Sequence, residues 1–284
     1  MGRCRNAPAL FREPARQFRK KPRKGILDRF SGCGHMGQTL MLQNNMYGEL
    51  PMSQDKFALS EAFGPDHAAA YDNQFEELQA IKGLLHLILE TGLGKLPDNA
   101  RILVAGAGTG AEVRYLATRF PKWQFALIDP SSAMLDVARR HAEAEGFAAR
   151  CTFHNAYVSE VEAFDFDGAT SLLVSHFLTQ ADSRTAYFRS IADRLRPGAP
   201  LFNADLCANM NAPDFPMVME LWLNLLSRTG MTPEGRAHYQ QMFGSQFACH
   251  GPAKVEHMME SAGFALPAQC MQAGLIRGWL TAKA

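Results

Sequence analysis

The sequence predicts an α/β fold: a doubly wound, seven-stranded sheet, mostly parallel with an antiparallel last strand, preceded by an N-terminal helical lid. Three observations lead there. Apolar runs of strand length alternate with segments of helical period across residues 101–204, an order that builds a parallel sheet covered on both faces. The apolar run 102–105 ends in three alternate glycines, Gly106, Gly108 and Gly110. These let the backbone turn sharply and approach a ligand with no Cβ in the way. An acid, Asp129, closes the next apolar run nineteen residues after Gly110, a distance that suits hydrogen bonding to the two hydroxyls of an adenosine ribose.

Residues 52–65 read as an irregular lead-in and 66–90 as two helices. The apolar stripe there is Phe75, Leu78, Ile81, Leu84, Leu85, Ile88 and Leu89, and Gly92 and Gly94 end it,. Strands are expected at 101–105, 123–128, 149–154, 168–174 and 199–204, with helices between them,. In the helix after the glycines, Val113, Leu116, Ala117 and Phe120 share one face, so its first amides point at the ligand. Residues 203–216 read as loop. In the following helix, 217–227, Met217, Met219, Leu221, Trp222, Leu225 and Leu226 cover an arc too wide for a surface helix. It therefore packs inward, lines an apolar pocket or meets a second subunit as a homodimer. Thr232 and Pro233 open a further helix as cap and first residue, and Tyr239, Met242, Phe243 and Phe247 continue the apolar theme,. Strands at 264–271 and 275–282 form the closing hairpin. In an open sheet of this kind the ligand lies beyond the carboxyl ends of the strands, so the loops after 105, 129, 155 and 175 converge on it.

The glycines alone fit two cofactors. Read as Gly106-x-Gly108-x-x-Ala111 they match a dinucleotide fingerprint, and read as Gly106-x-Gly108-x-Gly110 an S-adenosylmethionine (SAM) loop,. The run Asp129-Pro130-Ser131-Ser132-Ala133-Met134-Leu135-Asp136-Val137-Ala138-Arg139-Arg140 closely resembles the segment after strand 2 in class I SAM-dependent methyltransferases. Pro197-Gly198 resembles their turn before strand 5, and Ser261-Ala262-Gly263-Phe264 their turn into strand 6, so the likeness spans roughly residues 71–281. It implies a Rossmann-like sheet, SAM as cofactor, and methyl transfer to an O, N or C nucleophile of a small molecule. The cofactor-binding residues it implies are Gly106, Ala107, Gly108, Gly110, Asp129, Pro130, Met134, Asn155, Ala156 and Ser175.

Two positions depart from the family pattern. The acid often found two residues before the first glycine is Val104, and the acid often found after strand 3 is Asn155, whose amide can still pair with an adenine edge. The end of strand 4 faces the methyl group in this family. His176 there is a candidate general base, with an imidazole pKa near the working range, while alignment alone can also carry an in-line displacement. Ala70-Tyr71-Asp72 resembles the Tyr-Asp of the lid helices, which makes Tyr71 a second catalytic candidate. Residues 178–189 and 255–283 loosely resemble carboxy-SAM synthase, although no basic side chain is assignable to the extra carboxylate. A SAM-binding protein without transfer and a nicotinamide-dependent oxidoreductase are the competing readings.

The chain has 284 residues, 47% hydrophobic and 20% charged, and a formal net charge of +1. That charge is unevenly spread. Residues 1–30 hold ten Lys and Arg against Glu13 and Asp28, leaving 19 basic and 26 acidic residues, −7, for the remainder. An acidic body disfavours a nucleic-acid substrate and favours a small molecule. Residues 1–34 read as a disordered basic tail, 35–98 as lead-in and lid, and 99–284 as the SAM-binding domain. The tail also fits a targeting segment, or a start that truly lies at Met36, Met41, Met46 or Met52,. Six cysteines without a Cys-x-x-Cys pair suit a reduced cytoplasm and no metal site, and no apolar run is long enough to span a membrane.

Overall fold

The computed structural model describes residues 78–284. The basic tail, the lead-in, the first part of the lid and Tyr71 lie outside the described residues. Seven strands form one sheet: β1 (Arg101–Ala105), β2 (Gln124–Asp129), β3 (Cys151–Asn155), β4 (Gly168–Leu172), β5 (Pro200–Leu206), β6 (Ala268–Ala273) and β7 (Ile276–Ala282). Their order is β3-β2-β1-β4-β5-β7-β6. Strands β1 to β5 pair in parallel, and β7 runs antiparallel to both of its neighbours. The order reverses beside β1, the place where an open sheet binds its ligand.

Alternation along each strand assigns the two layers. Ile102 and Val104 of β1 and Phe125 and Leu127 of β2 pack into one core with α1 (Gln79–Leu93), α2 (Ala111–Arg119) and α3 (Ser132–Ala144). Leu103, Ala105, Ala126 and Ile128 pack into the other, against α4 (Ala181–Arg194) and α7 (Pro252–Ser261). Helices α5 (Phe215–Ser227) and α6 (Pro233–Met242) join the first core through Trp222, Leu223, Leu226 and Tyr239. The wide apolar arc of α5 is thus only partly used, because Met217 and Leu221 stay exposed. Thr232 caps α6 as expected, its Oγ1 accepting from the Gly235 amide at 3.1 Å.

Two local expectations are corrected. No α-helix separates β3 from β4 in the described chain; the link holds a single 3-10 turn, Val158–Glu160. Its backbone is tied to α4 instead, where the buried Arg194 donates to the carbonyls of Ser159 and Val161. Strand β4 also stops at Leu172 rather than at 174, because Leu173 takes a left-handed φ of 58°, a conformation few non-glycine residues hold. The turn lets the Leu173 amide donate to the Ala204 carbonyl at 2.6 Å and sets Val174 against the glycine loop.

That contact makes Gly106 the least replaceable glycine of the loop. Its φ is +72°, and an added Cβ would stand 2.3 Å from Val174 Cγ2. Gly108, at φ +51°, has nothing within 4 Å of the same construction. Left-handed strain costs about 1–2 kcal/mol at either position, while only Gly106→Ala adds about 1–3 kcal/mol of overpacking. Urea unfolding should show Gly106→Ala as the less stable variant, with Val174→Ala restoring part of the difference in the double mutant. Equal losses at the two glycines would remove Val174 from the explanation.

Candidate active site

At the carboxyl ends of β1, β2 and β4 the chain encloses a cavity of about 490 Å³. The glycine loop, residues 128–130 with Met134, residues 156–159, residues 172–174 with Phe177 and Leu178, and one face of α4 line it. That face consists of Ser183, Ala186, Tyr187 and Ser190, which recur at helical spacing. Asp129 is the one carboxylate, and Lys and Arg are absent, among the described lining residues.

Asp129 ends β2 with its carboxylate at the loop. Oδ2 accepts the Gly108 amide at 2.9 Å, and Oδ1 accepts the Ser131 amide at 2.8 Å. Burial pushes its pKa above the usual carboxylate value, and the two amides pull it back. Ser131 then caps α3 by accepting the Met134 amide, and Met134 is buried against the cavity. The amides of Gly106 and Ala107 both donate to the Ile128 carbonyl. The loop is therefore anchored to β2 by backbone and side chain together. A Cβ added at Gly110 would stand 3.2 Å from Ala138 Cβ of α3, so this glycine faces a helix, and it does not line the cavity.

Of the residues expected to bind cofactor, Gly106, Gly108, Asp129, Pro130, Met134 and Ala156 line the cavity. Ala107, Gly110, Asn155 and Ser175 do not line it. Asn155 donates its amide to the Asp129 and Pro130 carbonyls at 3.2 and 2.8 Å, so only its Oδ1 is left to meet a ligand. Tyr157, Phe177 and Tyr187 line the cavity although sequence reading passed over them. Only Tyr187 had a usable signal, its spacing from Ser183 and Ser190. The Tyr187 hydroxyl pairs with Ser171 Oγ at 2.9 Å.

Ser175 and His176 sit behind the wall, in a buried polar cluster centred on Asp205 of β5. His176 Nδ1 lies 2.9 Å from Asp205 Oδ1, which also accepts the His176 amide at 3.1 Å. Asp205 Oδ2 accepts from Ser175 Oγ and from Asn203 Nδ2, and Arg184 Nη2 stands 3.1 Å away as its buried ion-pair partner. Arg184 further donates to Ser175 Oγ and to the Ala248 carbonyl, while the Ala248 amide donates to the His176 carbonyl. Burial alone would raise the Asp205 pKa, yet Arg184 and His176 hold it at about 2. Burial lowers the His176 pKa against the opposing pull of Asp205. The Ser175 hydroxyl, expected at the cofactor, is bonded to Asp205 and Arg184 instead of lining the cavity. His176 is likewise separated from the cavity by Phe177, on which its ring packs at 4.3 Å.

The family model described as a methyltransferase domain matches residues 102–198. An uncharacterized protein of Synechococcus sp. (strain ATCC 27144 / PCC 6301 / SAUG 1402/1) is 33% identical over 113 residues, 39% of this chain and only 26% of that relative. Among solved structures, an O-methyltransferase family protein from Burkholderia thailandensis superposes with a TM-score of 0.60 at 14% identity, covering 87% of this chain and 70% of the other. Magnesium protoporphyrin IX methyltransferase from Synechocystis PCC 6803, solved with bound SAH, superposes at 0.57 and 14% identity, over 81% of this chain and all of the other. These low identities speak for the fold. Among the described residues no helix is long and apolar enough to cross a membrane.

Removing the Asp205 charge should leave Arg184 buried without a counter-ion, at a cost of about 3–5 kcal/mol. Asp205→Asn is expected to lose that much in urea unfolding at pH 7. Because the folded carboxyl titrates well below its unfolded value, the parent's advantage is present above about pH 4. It is lost as pH falls through about 2. An advantage that stays constant down to pH 2 would contradict the ion pair.

Proposed function

We propose that this chain, whose residues 102–198 match a family model described as a methyltransferase domain, transfers the methyl group of SAM to a small, uncharged acceptor, in the first instance a hydroxyl. The carrying observation is the cavity in which a glycine loop and the buried Asp129 carboxylate meet. The residues present fit SAM: open space at Gly108 admits a ligand against the backbone, Asp129 offers its remaining lone pairs to a ribose, and Met134 and Ala156 supply apolar walls for a purine. SAM, when bound, supplies a methyl carbon already activated by a sulfonium.

The protein's share of the work is then alignment and exclusion of water. Leu172, Leu173, Val174, Phe177 and Leu178 form an apolar wall at the β4 end, where a desolvated nucleophile is held in line and effective concentration provides most of the acceleration. A phosphorylated or carboxylated acceptor finds no cation among the described lining residues, which supports an uncharged one. The same observation argues against carboxy-SAM chemistry. His176 is read as a positioning residue: its bond to Asp205 and its ring contacts with Phe177 and Phe247 fix the β4 end rather than take a proton.

Asp129→Ala should weaken SAM binding at least tenfold in calorimetry, since it removes the ribose acceptors and frees the Gly108 amide. Unchanged affinity, or saturable NAD binding to the parent, would refute the cofactor. His176→Asn should lower the melting temperature and turnover together without altering the pH profile. A limb near the imidazole pKa that is present in the parent and absent in the variant would instead make His176 a general base.

A further inference from the structure

Two aromatic rings border the β4 end of the cavity, each held by contacts of its own. Phe177 lines the cavity from the turn after β4, and its ring packs on His176 at 4.3 Å and on Phe247 at 5.5 Å. Tyr187 lines it from α4. Its hydroxyl pairs with Ser171 Oγ of β4 at 2.9 Å and lies 3.5 Å from the Ala105 carbonyl, which pins the side chain between the ends of β4 and β1. Rings fixed in this way favour another ring over a saturated group of the same size, because offset or edge-to-face contact adds to plain area burial.

Among the described residues this end of the cavity also lacks a base. Asp129 is the one carboxylate in the lining, and its two oxygens already accept the Gly108 and Ser131 amides. His176 stands behind Phe177, bonded to Asp205. Burial raises the Tyr187 hydroxyl well above the ordinary phenol value, so it stays protonated. An acceptor hydroxyl here has to release its proton to water. A phenol ionises at about pH 10, whereas an aliphatic hydroxyl stays close to water at about 16. We propose, resting on the SAM reading above, that the acceptor is a phenol whose ring lies against Phe177 and Tyr187, ionised by solvent rather than by a side chain. Its proton passes to water. The phenolate oxygen then forms the new O–C bond with the sulfonium methyl as the C–S electron pair returns to sulfur, leaving an aryl methyl ether and S-adenosylhomocysteine. The sulfonium is the counter-charge of the phenolate, in keeping with a lining that has no Lys or Arg among the described residues.

The binding probes are 2-naphthol and its saturated counterpart decahydro-2-naphthol, which share a skeleton and differ in aromaticity. In calorimetry on the protein saturated with S-adenosylhomocysteine, 2-naphthol should bind at least tenfold more tightly, although the saturated alcohol has no less apolar surface to bury. Phe177→Leu keeps an apolar side chain without the ring. It should cut that preference to threefold or less while S-adenosylhomocysteine binds as to the parent, which also reports a folded variant. With labelled SAM and either 2-naphthol or 4-nitrophenol as acceptor, the rise of kcat/KM with pH should level off at each phenol's own ionisation, at lower pH for the more acidic 4-nitrophenol. Should Phe177→Leu lose S-adenosylhomocysteine, the two measurements on the parent decide. A smaller preference in the parent, a larger one retained in the folded variant, a rise that levels off at one pH for both phenols, or transfer to neither phenol would overturn the phenol assignment. A parent that binds neither SAM nor S-adenosylhomocysteine would overturn the SAM reading and this inference with it.

Discussion

The Asp205 carboxylate is the interaction on which the cavity end of the sheet depends. It is fully buried, draws hydrogen-bond donors from β5 itself and from the turn after β4, and pairs with the Arg184 guanidinium of α4. A buried anion tolerates this position only because a guanidinium and several hydrogen bonds surround it. The same cluster reaches the loop after α6 through Ala248, so one charge holds three separate stretches of chain in register behind the cavity wall. Removing any partner exposes the others to an unsatisfied interior.

In front of that wall the glycine loop divides its labour. Gly106 is small because the β4 end presses on it, Gly108 because the cavity opens there, and Gly110 because α3 packs against it. The loop gets its shape from β2: the Ile128 carbonyl takes two of its amides and the Asp129 carboxylate a third. Asp129 therefore serves the fold, and the loop conformation is formed without a ligand.

The cavity's chemistry follows from which faces meet there. The α4 face of Ser183, Ala186, Tyr187 and Ser190, the apolar β4 end and the helix-free β3–β4 link leave a mostly apolar hollow with hydroxyls at its margin. Such a lining orients a neutral molecule by shape and a few hydrogen bonds. The tight Arg194 tether makes up for the missing helix, since the guanidinium satisfies carbonyls that a helix would have satisfied internally,.

Much of this was legible in the chain. The strand order of events, the glycine loop, Asp129 and the final hairpin are local or nearly local signals, because hydrophobic period and glycine placement act within a few residues. The roles of Ser175 and His176 were not legible. Their neighbours in sequence gave a strand end facing a ligand, while their partners Asp205 and Arg184 stand 29 residues and 9 residues away. The left-handed Leu173, the lost helix before β4 and the exposure of Met217 and Leu221 likewise depend on what another element presents to them. The sequence by itself determined the layering and the ligand loop, since backbone sterics and apolar alternation need no distant partner. Only the tertiary structure decided which polar side chains face the cavity and which are consumed in the interior, because a buried polar group must be paired, and pairing is a property of the packed chain.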